Sequence, residues 1–182
     1  MSDSIRELPE KIVAFHDERN WDKVANRARV LAGYCWDWEK TKKNDPNYHD
    51  IKIGNFEMSW NLSTGLFAID NASVNQAGCI HTTQGLEFDY VGVIMGDDIR
   101  YEDSHVVTDF TKRAKTDQSV KVLKKLYKED PARALKRADE IIKNTYRTLM
   151  TRDMKGCYLY CTDSGMREYL KKRLAIVPKA SM

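Results

Sequence analysis

Two stretches of this 182-residue chain gather side chains that can handle an anion or a sugar hydroxyl. The first is Ile80-His81-Thr82-Thr83-Gln84-Gly85-Leu86-Glu87-Phe88-Asp89-Tyr90. Thr82, Thr83 and Gln84 supply neutral donors and acceptors suited to phosphate oxygens, and Glu87 can accept from sugar hydroxyls. Gly85 lets the main chain turn tightly or approach a ligand. The second stretch runs from Asn144 to Tyr158 and carries Arg147 and Arg152 ahead of Gly156. A guanidinium at such a place stabilises charge developing on a transferred phosphoryl group. The two arginines stand five apart, so on a helix they diverge: one is expected to face inward, the other to lie at the helix end. Spacing alone also allows a plain polar connection for the first stretch and surface cations at a helix C-terminus for the second.

Other reactive residue types are scattered. Cys157 and Cys161 fall on one face of an expected strand, but no second pair or histidine cluster accompanies them, so no zinc site is expected. Cys35 and Cys79 sit beside apolar or aromatic residues and read, like the other two, as reduced and mostly buried thiols. Trp36-Asp37-Trp38 reads either as a stacking platform for a base or as aromatic residues packed on a neighbouring helix.

These segments need a scaffold, and the apolar pattern outlines one. Ile5, Leu8, Ile12, Val13 and Phe15 predict an amphipathic helix over residues 4–18, with a further helical turn allowed up to Ala28. Residues 29–35, 78–82, 90–96 and 157–161 are short, nearly continuous apolar runs that read as strands covered on both faces. Residues 51–60 alternate like an edge strand or hairpin, residues 100–109 like a small hairpin, and residues 40–47 are loop. From Asp117 onward the period becomes helical, with Asp130 and Pro131 as the cap and first residue of a long helix reaching Thr151. Ser164 is placed to cap a final helix ending near Leu174. Strands interspersed with helices predict an α/β domain with a mainly parallel sheet, whose ligand chemistry belongs at the C-terminal strand ends.

Composition is that of a globular protein, 42% hydrophobic and 31% charged. No uncharged run is long enough to span a bilayer, and the first residues lack the apolar core of a secretory leader, so a cytoplasmic protein without membrane association is expected. Net charge is only +3. Basic residues concentrate between Lys112 and Arg137, forming either a face for phosphates or a solvated helix surface balanced by Glu129, Asp130, Asp139 and Glu140.

Taken together, the two stretches resemble a known family. His81-Thr82-Thr83-Gln84-Gly85-Leu86-Glu87-Phe88 resembles motif V of superfamily 1 helicases (His, a small residue, Ala or Ser, Lys or Gln, Gly, Leu, Glu, Phe). Tyr146-Arg147-Thr148-Leu149-Met150-Thr151-Arg152 resembles motif VI, with its Thr-Arg before the last strand. With Arg29-Val30-Leu31-Ala32-Gly33-Tyr34-Cys35-Trp36 upstream, the chain is most similar to the schlafen group 3-like DNA/RNA helicase domain of P-loop NTPases, over residues 29–163. The resemblance implies the second RecA-like domain of a motor, a three-layer fold with a mainly parallel sheet flanked by helices. It would occupy residues 29–175, with a helical lead-in before it (1–28) and a tail after it (176–182). Motif V would lie at residues 80–90 and motif VI at 144–158.

The same resemblance assigns roles. Gln84, Gly85 and Glu87 would approach the phosphates and ribose of ATP, and Arg152 would be the finger on the γ-phosphate. Arg147 would make a second phosphate contact or a structural ion pair. His81, Thr82 and Thr83 would contact the nucleic-acid backbone, DNA or RNA. The chain contains no G-x-x-x-x-G-K-[ST] run and no metal-holding acid pair in the position the family uses. ATP and Mg²⁺ are therefore expected only together with a partner P-loop domain, and no turnover from this chain alone. The alternative expectation is a non-catalytic nucleic-acid-binding or interaction module that keeps the fold.

Overall fold

The structure is a computed structural model and describes residues 1, 4–19, 28–42, 45, 47–62, 67–68 and 71–176. Among the described residues eight strands and four α-helices follow one another: α1 (Glu7–Arg19), β1 (Ala28–Ala32), β2 (Ile51–Ile53), β3 (Phe56–Trp60), β4 (Gln76–Gly78), β5 (Phe88–Met95), β6 (Ile99–Glu102), β7 (His105–Thr108), α2 (Gln118–Glu129), α3 (Pro131–Met150), β8 (Asp153–Cys161) and α4 (Ser164–Ile176). Six strands form one sheet in the order β2-β3-β4-β1-β5-β8, parallel throughout except for the edge hairpin β2–β3. The pair β6–β7 is a separate antiparallel ribbon. This is the α/β domain with a mainly parallel sheet that the sequence predicts, and it is compatible with a Rossmann- or RecA-like fold. The helical turn expected between Asn20 and Ala28, and the tail beyond Ile176, lie outside the described residues.

Strand alternation sorts the core into two layers. Ala28, Val30, Ala32 and Ile94 face Ile5, Leu8 and Ile12 of the N-terminal segment. Leu31, Val91, Val93 and Met95 face Ile142, Tyr146 and Leu149 of α3. Leu8 and Ile12 are fully buried, each contributing about 1.5–3 kcal/mol of burial. The lead-in helix is thus one of the sheet's covering layers. Its approach is close: a Cβ on Gly92 of β5 would stand 2.8 Å from Ile12 Cγ1.

Helix ends obey local rules. Asp117 accepts from Ser119 N (2.8 Å) and caps α2, while Asp130 accepts from Arg133 N (3.0 Å) and caps α3, with Pro131 as its first residue. The last helix differs from expectation. The acceptor for its first turn is Asp163, whose Oδ1 takes Met166 N at 2.7 Å, and Ser164 is the first helical residue.

Two strands also shift. β4 ends at Gly78, because Cys79 N donates to Thr82 Oγ1 (2.8 Å) and the Thr82 and Thr83 hydroxyls can both reach Cys79 O (3.0 Å each). Local side-chain bonds thereby replace the ladder, and residues 80–85 form turns. β8 begins at Asp153, four residues before the apolar run that announced it, since Phe88 of β5 provides a partner for Asp153.

Candidate functional site

The stretch after β4 does not stay at one edge of the sheet. It leaves the C-terminal end of β4, where Gly78 pairs with Leu31, and crosses β1 to the N-terminal end of β5, where Tyr90 pairs with Ala28. The candidate residues are therefore divided between two edges, whereas the sequence rule put them all at the C-terminal strand ends.

Glu87 and Arg152 stand at the N-terminal ends of β5 and β8, whereas Gln84 and Gly85 lie in the intervening turns, where Gln84 N donates to His81 O at 3.4 Å. Gln84, Gly85 and Glu87 are exposed. Gly85 has φ +74°, left-handed backbone, and nothing lies within 4 Å of where a Cβ would be. Its glycine is needed for the turn, and the space above it is open. Helix α3 closes with Thr151, whose N and Oγ1 both donate to Arg147 O (3.1 and 3.0 Å), and the chain then enters β8 through Arg152. There Phe88 N donates to Arg152 O at 2.8 Å, which fastens the two stretches together.

Arg152 is half-buried, and its Nε is buried without a hydrogen-bond partner among the described residues. No ion pair among those residues engages it. A desolvated guanidinium edge is costly unless something anionic completes it, so this group is poised to take an oxyanion. Asp153 beside it is held above the usual carboxylate range by burial. Arg147 is exposed on α3 and makes no ion pair among the described residues. Arg152 lies just past the helix end as expected, but Arg147 does not face inward.

The C-terminal edge holds the other half. His81 is exposed and meets the Tyr34 ring edge-on, centroids 5.8 Å apart. Thr82 Oγ1 lies 3.2 Å from Asn61 Oδ1. Thr83 is fully buried with its hydroxyl on Cys79 O, so it holds the turn and offers no surface group. Around His81 and Thr82 lies a cavity of about 610 Å³ at the ends of β1, β3 and β4, walled by Tyr34, Trp38, Trp60 and the first turn of α2. Trp38, but not Trp36, belongs to it. Sequence reasoning missed Trp60 and Tyr34 because each sits in an apolar run that reads as plain core.

Also at the C-terminal strand ends, on the α3 side, lies a buried polar network. Tyr146 OH donates to Asp98 Oδ1 (2.6 Å) and accepts from Gly96 N (2.9 Å). Arg113 bridges Asp98 (3.2 Å) and Asp117, so it leaves the basic face to which its sequence position assigned it. Burial raises the Asp98 carboxyl above its ordinary range despite the bonds from Tyr146, Cys35 and Arg113. Burial likewise pushes the thiols of Cys157 and Cys161 up to about 12. Lys121, Lys124, Lys125 and Lys128 are exposed along α2. Among the described residues no group of His, Cys, Asp and Glu is arranged to hold a metal ion, and no helix is long and apolar enough to cross a membrane.

A mainly parallel six-stranded sheet flanked by helices defines an α/β domain compatible with a Rossmann- or RecA-like fold. The model of the family described as Schlafen group 3, DNA/RNA helicase domain, matches residues 1–163, and the chain belongs to that family. It is also similar to the uncharacterized protein YPL245W of Saccharomyces cerevisiae, 25% identical over 163 residues. The alignment covers 82% of this chain and 32% of that protein, so the chain spans about a third of the relative's length. No solved structure matches it.

Proposed function

We propose that this chain is the second RecA-like domain of an ATP-dependent, helicase-like nucleic-acid motor, supplying motif V and an arginine finger to a nucleotide held mainly by a P-loop domain on a partner. The observation that carries the reading is the junction at the N-terminal edge. The Phe88 N–Arg152 O bond ties the end of the Gly85–Glu87 stretch to the residue after α3, whose side-chain Nε lacks a partner among the described residues. Membership of a helicase-domain family supports it.

In this reading Arg152 steadies the negative charge that grows on the transferred phosphoryl oxygens, a task its fixed charge and planar fork suit. Glu87 accepts from the ribose hydroxyls, and Gly85 and Gln84 line the approach, where the absence of a Cβ keeps the main chain close to the ligand. ATP supplies the bond that is broken, with Mg²⁺ neutralising its phosphates, and the residues present fit the nucleotide through charge and open space. Arg147, exposed on the same helix, is a second phosphate contact. At the other edge His81 and Thr82 face the strand, DNA or RNA, while Thr83 acts only by shaping the turn.

The test is turnover in the longer protein that includes the P-loop domain. Arg152→Ala is expected to lower nucleic-acid-stimulated ATP hydrolysis by roughly three to five powers of ten, the usual worth of an arginine finger. Near-normal turnover in that variant removes Arg152 from the mechanism. The isolated chain is expected to hydrolyse no ATP. A purely binding module, the second reading, is favoured by the exposed lysines of α2. It requires affinity that falls steeply with salt and no ATPase in the longer protein.

A further inference from the structure

The cavity at the C-terminal edge has walls of an unusual kind. Tyr34 and Trp60 meet edge-to-face with centroids 4.9 Å apart, His81 stands against the same tyrosine ring, and Trp38 is a further lining residue. Three polar atoms of the lining residues are buried without a partner among the described residues: Trp38 Nε1, Trp60 Nε1 and Ser119 Oγ. An indole N–H only donates, so two of the three call for acceptors. Trp60 is fully buried, and leaving such a donor unmet costs about 1–3 kcal/mol.

The charge of the lining narrows the ligand. Among the described residues no lysine or arginine lines the cavity, and the one carboxylate there, Asp117, is spent on Arg113 and on capping α2. A phosphate finds no counter-charge there. A flat, neutral ring finds the half-buried rings of Tyr34 and Trp38, with the Trp60 indole behind them. The cavity also opens beside His81 and Thr82 and lies at the carboxyl ends of parallel strands, the usual ligand side of such sheets.

We propose that this cavity takes one base of a single-stranded nucleic acid, turned out of the stack and held among Tyr34, Trp38 and Trp60. The strand's backbone stays outside, at His81 and Thr82. The inference rests on the reading that a strand passes over this edge, and it adds which part of the strand enters and which residues receive it.

The experiment measures binding of the full chain to a short labelled single strand and to the same strand with abasic spacers in place of its bases. Free adenosine and thymidine monophosphates serve as a further arm. The abasic strand is expected to bind about ten- to a hundredfold more weakly, the worth of stacking one base. Trp38→Ala, at a half-buried loop position, is expected to weaken the intact strand by a similar factor and leave abasic binding unchanged. Ser119→Ala, a change too small to threaten folding, follows the same pattern with a smaller loss. Equal binding of the two strands overturns the proposal, as does an equal loss for both in Trp38→Ala. Free nucleotides binding as tightly as the strand overturn it in favour of a free-nucleotide site. If neither strand binds, the base pocket and the strand contact fall together. The Arg152 turnover test, read at the opposite edge, still decides the nucleotide site separately.

Discussion

The main-chain amide of Phe88 donates to the carbonyl oxygen of Arg152 across 2.8 Å. These residues are 64 positions apart, and their bond opens the β5–β8 pairing at the edge where the Gly85 turn ends. Arg152 is thus positioned through its backbone, while its side-chain Nε has no partner among the described residues. Four consequences can be measured.

Arg152→Ala removes no side-chain hydrogen bond or ion pair among the described residues, and its backbone bond to Phe88 survives. Stability is expected to stay within about 1 kcal/mol of the parent in urea unfolding. A large loss would mean that the guanidinium serves the fold.

Gly85 occupies left-handed backbone at φ +74° with nothing near the site of a Cβ. Gly85→Ala meets no clash and is expected to cost only the conformational penalty, about 1–2 kcal/mol. Gly85→Asn should cost less, since asparagine tolerates this region. Equal unfolding midpoints for glycine and alanine would contradict the turn geometry.

Tyr146→Phe keeps the ring and deletes a hydroxyl that serves both Asp98 and Gly96 N. It leaves a buried amide and a buried carboxylate short of partners, so the expected loss is about 2–3 kcal/mol. A midpoint unchanged in thermal or urea unfolding would show that the network contributes nothing net.

The thiols of Cys157 and Cys161 hold their protons up to about 12 in the folded chain because burial disfavours the thiolate. In the unfolded chain they ionise at the ordinary thiol value. As pH rises from about 9 to about 12 the unfolded state therefore binds fewer protons, and stability falls. The double variant Cys157→Ala, Cys161→Ala is expected to show a shallower fall in urea midpoint over this window. Both native thiols should also resist iodoacetamide at pH values where the urea-unfolded chain reacts.

Much of the fold was legible because its signals are local. The cap at Asp130, the proline opening α3, the β2–β3 alternation and the apolar runs of β1, β5 and the later part of β8 depend on neighbours within a few residues. The end of β4 was misjudged for an equally physical reason: Ile80 extends the apolar run, but the hydroxyls of Thr82 and Thr83 capture Cys79 and break the strand.

Residue types and order were enough to single out Gln84–Glu87 and Arg152 and to point to the helicase-domain family. Where these groups stand was decided by packing alone. Parallel pairing of β4, β1 and β5 forces the connecting stretch to cross from one edge of the sheet to the other, parting His81 and Thr82 from Glu87 and Arg152. The union of Trp60 with Tyr34 and the burial of Arg113 between Asp98 and Asp117 likewise join residues distant in the chain. Contacts of that separation depend on how whole layers stack, and no local pattern of side chains encodes them.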